Sequence, residues 1–331
     1  MRITLLSLFC LTFLLDLSAQ QLPLFTQYRD SWMQLNPATP YNGYVNYEHT
    51  IAFGVSHRQQ WLDADLEGAP ITSLAQFQFV SEKLNFHTGG YILNDQTGDI
   101  GTTGIYGNFA YHLTLGKGRI DQTLSIGLNG GLVQYRVDIP EGIRASNGVG
   151  DAFSETILYP DFGLGVFYNY DERFYAGLSI PQVIGLDLNL RNENDPNNSF
   201  SLTQVRHYYA LIGAYIDFDF FESESSFLEP SIWFRYVEDV PFSIDINLRY
   251  KPSDYFWIGA GIGSASIHAN VQDLEIFDPR KKVLHLEAGV LLPELFRQEG
   301  NLKIGFGYDV QLSEYLVNFG NSVEFNVIYS W

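Results

Sequence analysis

The sequence has a single cysteine, Cys10, among 331 residues. It lies in an N-terminal apolar run, so the rest of the chain has no disulfide framework and no cysteine metal ligand. Cations are also scarce: 19 Lys and Arg face 38 Asp and Glu, for a formal net charge of −19. A chain so acidic is repelled by polyanions, which argues against a nucleic-acid partner. Long apolar runs are missing after the first twenty or so residues, and a spanning helix needs roughly 18–20. The nearest attempt, "YYALIGAYIDFDFF", is broken by Asp217 and Asp219. Catalytic signatures are missing too. There is no G-x-S-x-G elbow, no Gly-rich phosphate loop and no H-x-x-x-H pair among the seven histidines. No motif therefore argues for an enzyme, a cofactor or a bound metal. "DADLEG" (Asp63 to Gly68) resembles the first half of a calcium loop, but Leu74 stands where a bidentate Glu is required, so a solvated acidic loop is the better reading.

The first residues carry a different message. Arg2 precedes a short apolar run, Leu5 to Leu15, and Leu17-Ser18-Ala19 fits a small-residue cleavage site. Residues 1–19 read as a secretory signal peptide. Residues 20–44 contain Pro23, Pro37 and Pro40 and do not alternate. They form a pre-barrel segment, lumenal or periplasmic. Residues 45–331 then read as one domain.

Aromatics reach 15% and glycine 30 residues, and apolar residues recur at every second position. In "PFSIDINLRYK", Phe242, Ile244, Ile246, Leu248 and Tyr250 share one face, while Ser243, Asp245, Asn247, Arg249 and Lys251 share the other. "NLKIGFGYDVQ" and the closing "SVEFNVIYSW" repeat the pattern. Period two means strands. About fourteen are expected (12–14), near 45–59, 71–81, 85–93, 103–115, 122–137, 160–170, 173–181, 205–219, 226–237, 241–251, 255–264, 282–292, 301–311 and 322–331. The least regular are 71–81, where alternation is poor, and 226–237, which contains Pro230.

The connections alternate in length, with Glu238–Val240 the exception. Tight turns such as "EKL", "DE" and "PSD" trade with long loops at 60–70, 94–102, 138–159, 182–204, 265–281 and 312–321. That is the rhythm of an outer-membrane β-barrel, with short periplasmic turns and longer outer loops. Strand length fits a tilted crossing of the bilayer. Tyr208, Tyr209, Tyr250, Tyr255, Phe256, Trp257, Tyr329 and Trp331 sit near strand ends, where an interfacial girdle belongs. Outer-membrane lipid then covers the apolar face. Phe325, Tyr329 and Trp331 on the last strand form the expected signal for the outer-membrane assembly machinery. Inward glycines such as Gly163, Gly165, Gly259, Gly261, Gly305 and Gly307 leave room for a passage, so a porin or small-solute transporter is the alternative reading.

Several stretches in order resemble the PorP/SprF family of type IX secretion system outer-membrane proteins. They are "LNPA" with Asn36, Pro37 and Ala38, "RQQW" with Arg58, Gln60 and Trp61, and "GAPIT" with Gly68, Ala69 and Pro70. "ILNDQTGDIGTTGIYGNFAYHL", with Asn94 and Asp95, follows. "LSIGLNGGLVQYRVD", "PDFGLGVFYNYDERFYAGLSIPQV" and "RHYYALIGAY", with Arg206, His207 and Tyr208, come next, and "EPSIWFRYVEDVPFSIDINLRYKPSDYFWIGAG" completes the series. The resemblance implies a barrel in the cell outer membrane that supports secretion or surface attachment of a cargo protein such as a large adhesin. It implies type IX components as further partners and a link to gliding motility. Arg58, Trp61 and Gly68–Thr72 are expected to shape the first loop and its mouth. Arg206 to Tyr209 are expected to anchor a strand at the membrane interface.

Overall fold

The computed structural model describes residues 22–41, 48–62, 68–116, 121–139, 153–171, 173–191, 199–218, 226–237, 240–264, 282–295, 300–312 and 320–331. The signal-peptide reading, the acids at 63–67 and the polar 192–198 loop lie outside them. The strands are β1 (Ile51–Gln59), β2 (Ile71–Ser81), β3 (Phe86–Thr97), β4 (Ile100–Thr114), β5 (Gln122–Ile139), β6 (Phe153–Tyr170), β7 (Phe174–Ile180), β8 (Leu186–Arg191) and β9 (Ser199–Gln204). They continue with β10 (His207–Ala214), β11 (Ile216–Asp217), β12 (Phe227–Val237), β13 (Val240–Ser253), β14 (Phe256–Ser264), β15 (Lys282–Pro293), β16 (Asn301–Gln311) and β17 (Ser322–Ser330). Ahead of them stand a single 3₁₀ turn, Tyr28–Asp30, and a one-turn helix α1, Trp32–Leu35.

The wall is a closed barrel of 14 antiparallel strands. Neighbours in sequence pair along the wall, with β7 pairing with β10 across the β8–β9 hairpin, β10 and β11 together serving as one strand beside β12, and β1 pairing with β17. The seam extends one residue past β17, where Ile51 and Trp331 exchange backbone hydrogen bonds. Closure leaves no open ladder along the seam, which is the condition for a sheet in lipid. The β8–β9 hairpin forms a separate two-stranded sheet inside the 182–204 connection.

Faces follow the alternation, inverted relative to a soluble protein. Leu128 is 54% exposed and Ile246 53%, while Asn129 is 1% and Asp245 4%. Apolar side chains face outward and polar ones line the lumen. Leu128→Arg is expected to cost about 2–4 kcal/mol if the site lies at the bilayer midplane. Unfolding from lipid vesicles checks it, with Asn129→Arg as the lumenal comparison.

Several expectations need correction. The 94–102 segment is not a long loop: β3 runs to Thr97, β4 starts at Ile100, and Gly98 turns the chain at φ +57°. Its polar residues pair across the hairpin, with Asn94 Nδ2 donating to Thr103 Oγ1 at 2.8 Å. β5 and β6 likewise extend well into the expected 138–159 loop. β1 begins at Ile51, later than expected, after Glu48 at φ +56°. Tyr209 and Trp257 do not join the girdle. Alternation turns both inward, to 5% and 2% exposure. Tyr255 and Phe256 do face outward.

Pro230 is compatible with a central strand because of where it falls. The β10–β12 ladder stops at Gly213↔Ser231 and the β11–β12 ladder resumes at Ile216↔Leu228 in the same register. The missing proline donor coincides with that interruption.

Candidate functional site

Residues 22–41 run through the lumen. Leu22 donates its backbone N–H to His207 Nε2 (3.1 Å) at the start of β10, the long-loop end. Tyr41 donates its backbone N–H to Gln78 Oε1, close to the β2–β3 turn at the opposite end. Between them Gln27, Asp30, Met33 and Ala38 are fully buried. Irregular stretches flank the 3₁₀ turn and the one-turn helix, and so compact a path threads the lumen without a long helix. Pro23, Pro37 and Pro40 keep this segment from extending α1 or joining the sheet as a strand.

One side of the plug is held by charge. Arg29 and Asp30 are the only charged residues of the segment. Arg29 pairs with Glu229 on β12 (3.2 Å) and Glu287 on β15 (3.1 Å). Asp30 pairs with Lys303 on β16 and Arg249 on β13 (3.7 Å), and Asn326 on β17 donates to it at 3.3 Å. Arg249 in turn holds Glu287 at 2.8 Å. Three cations and three carboxylates are thus buried together in balance. That answers the desolvation penalty each would otherwise suffer. Lys303 and Arg249 also lie over the Trp257 ring, at 4.5 and 5.7 Å.

A second charged set sits toward the long-loop end. Arg58 pairs with Asp309 and with Glu324 (3.5 Å), and it hydrogen-bonds Thr26 Oγ1. Glu324 accepts the consecutive backbone N–H groups of Thr26 and Gln27. His285 places Nδ1 2.7 Å from Asp309 and Nε2 3.6 Å from Asp245, so a carboxylate faces each ring nitrogen.

The other side of the plug is held by neutral hydrogen bonds. Asn36 Nδ2 donates to the Val166 carbonyl of β6 (3.0 Å), and its Oδ1 accepts the Ala38 N–H (2.9 Å). The Pro37 carbonyl accepts from His87 Nε2 (3.1 Å) and Asn108 Nδ2 (2.8 Å). Ser179 donates to the Leu35 carbonyl at 2.6 Å. Glycine makes the seat: a Cβ on Gly127 would overlap Pro37 and Ala38 backbone, and one on Gly165 would overlap the Asn36 side chain. Gly127→Val is therefore expected to lift this turn at a cost of about 1–3 kcal/mol. The check is faster amide exchange at Leu35–Ala38 with strand protection retained.

These contacts redistribute the residues singled out from sequence. Asn36, Pro37 and Ala38 form the seated turn. Arg58 points into the lumen and grips the plug, and it lines the mouth cavity as well. Trp61, Gln60 and Pro70 do line the mouth, around a cavity of about 230 Å³ shared with Asp95 and Leu22. Gln60 N–H bonds the Pro70 carbonyl (2.9 Å), and Gly68 O accepts from Gly98 (2.8 Å), so Gly68, Ala69 and Pro70 brace that rim. Asp95 accepts from Thr72 at 2.6 Å. His207 and Tyr209 face inward, contrary to an interfacial role, because they share one side of the pleat. Tyr208 points outward against Tyr236, 5.9 Å between rings. Arg206 is exposed and bonds the Val183 carbonyl. The sequence reading missed Arg29, Asp30, Glu229, Glu287, Lys303 and Glu324. A usable signal existed, since the last four are charges on the polar faces of strands whose other faces meet lipid.

The inward glycines do not outline an open passage. Gly165, Gly305 and Gly307 abut the plug, and Gly259 and Gly261 make room for the Glu287 and Asn247 side chains.

A closed wall with an oily exterior and a lumen filled by its own upstream segment defines a plugged outer-membrane barrel. Solved structures with a similar fold include a Pseudomonas aeruginosa FadL homologue, with 11% identity, TM-score 0.52, and 89% of this chain and 92% of that one covered. The Ralstonia pickettii toluene transporter TbuX is similar, with 10% identity, TM-score 0.51, and 91% and 92% covered. Identities this low speak to fold alone. The chain belongs to the family of type IX secretion system membrane proteins PorP/SprF, whose family model matches residues 17–329. No curated protein sequence matches it.

Proposed function

We propose that this barrel serves type IX secretion by holding a secreted or surface-displayed partner protein, such as a large adhesin, at its long-loop end, without catalysis. The observation that carries the reading is the cross-tied plug. A lumen bolted to both walls offers recognition surfaces in place of an aqueous passage. The long-loop end supplies the outer surface, including the separate β8–β9 hairpin, which pairs with no other strand among the described residues. The short turns face the periplasmic components of the machinery.

Affinity purification from native outer membrane tests it. A secreted protein is expected to co-purify, and a deletion strain is expected to mislocalise that protein with small-solute permeability unchanged. Normal display of every cargo in the deletion strain would sink the proposal. A porin or transporter, the alternative, instead requires steady conductance from the purified barrel in planar bilayers.

A further inference from the structure

Much of the wall's hold on the plug is on its main chain. Glu324 takes the N–H groups of Thr26 and Gln27, and His207 takes that of Leu22. Gln76 donates to the Asp30 carbonyl, Ser179 to that of Leu35, and both His87 and Asn108 to that of Pro37. These wall groups are lumenal side chains with little exposure, and they contact atoms present in any polypeptide. Recognition of backbone atoms tolerates changes of sequence, as it does wherever a receptor grips an extended peptide. The charged side chains are read at two adjoining sockets, where Glu229 and Glu287 receive the Arg29 guanidinium and Lys303 and Arg249 receive the Asp30 carboxylate.

We propose that the lumen is a peptide-binding channel. Residues 22–41 fill it as a tethered ligand, and an extended segment of the secreted partner takes their place. This rests on the partner reading above and specifies how the partner engages. The incoming segment needs a cation for Glu229 and Glu287, a neighbouring carboxylate for Lys303 and Arg249, and a turn that seats closely on Gly127 and Gly165. A tethered segment competes at high effective concentration, so the channel stays closed until the latch yields or a tighter segment arrives.

A fluorescent synthetic peptide of residues 22–41 tests this with the full-length barrel in detergent, before any partner is known. In Asp30→Asn the tethered copy loses its charge-assisted contacts while the free peptide keeps them. The free peptide is expected to bind this variant at least about tenfold more tightly than the unmodified barrel. A peptide carrying Asn at the socket position is expected to lose that gain. A second variant locks the plug. A Cβ at Gly307 would stand 3.1 Å from Thr26 Cβ, near the roughly 3.5–4.5 Å of disulfides. Thr26→Cys with Gly307→Cys is therefore expected to abolish peptide binding until reductant is added. Equal affinity for the unmodified and Asp30→Asn barrels, no binding to either, or undiminished binding to the oxidised lock would overturn the proposal. The partner reading fails separately, if the peptide binds as expected while native purification yields no secreted protein. Equal recovery of a partner by the locked and unlocked barrels would place docking elsewhere and overturn the channel alone.

Discussion

Truncation after Asn321 yields no folded barrel. β17 contributes eight residue pairs to β1 and nine to β16. Without it, two strand edges face hydrocarbon with backbone groups that nothing satisfies, each costing several kcal/mol. The loss also removes Glu324 and Asn326 from the plug. The expected result is no heat-modifiable species on unboiled gels and no protein in the outer-membrane fraction. Trp331→Ala is the informative companion, because β17 and its pairs stay intact. A fall in outer-membrane level with that variant reports recognition of the terminal aromatic by the assembly machinery. A folded truncated barrel at normal level would refute the seam described here.

Arg249→Met is expected to destabilise the plugged state by about 3–5 kcal/mol, the range for orphaning a buried ion-pair partner. Arg249 holds Glu287 through two nitrogens, at 3.1 and 2.8 Å, and also faces Asp30 and Glu229. Its removal leaves three buried carboxylates to two cations. Arg249→Lys keeps the charge but not the fork, and is expected to recover part of the loss. Denaturant unfolding in detergent, followed by tryptophan fluorescence, reads both. An unchanged midpoint for the Met variant would mean that water reaches and screens the cluster. Leu248→Met, next door on the lipid face, is the control and is expected to change little.

The wall was legible because a lipid-facing strand must obey period two along its whole length. "PFSIDINLRYK" and "SVEFNVIYSW" show this: the outward residues named from alternation are exposed or half-buried, and Asp245, Asn247, Arg249, Lys251 and Glu324 are buried. Even Pro230 fell where a ladder is interrupted. The plug was not legible in the same way. Residues 22–41 have no periodicity, since they pack against side chains arriving from most of the wall, and such contacts leave no local pattern. What remained readable was indirect. Glu287, Lys303 and Glu324 sit on strand faces turned away from lipid, and a buried charge demands a partner. Within the upstream segment only Arg29 and Asp30 were available to supply one. Girdle assignments failed at Tyr209 and Trp257 for a related reason. Nearness to a strand end says nothing of side, and parity along the strand decides it.

An even number of crossings ordinarily brings both ends of a barrel chain to the same side of the membrane. The lumenal pass adds one more traverse before β1. Leu22 lies beside His207 at the long-loop rim, whereas Trp331 pairs with Ile51 at the opposite rim. Reporter groups attached at these two residues would therefore stand on opposite sides of the bilayer, and only withdrawal of the threaded segment would bring them to one.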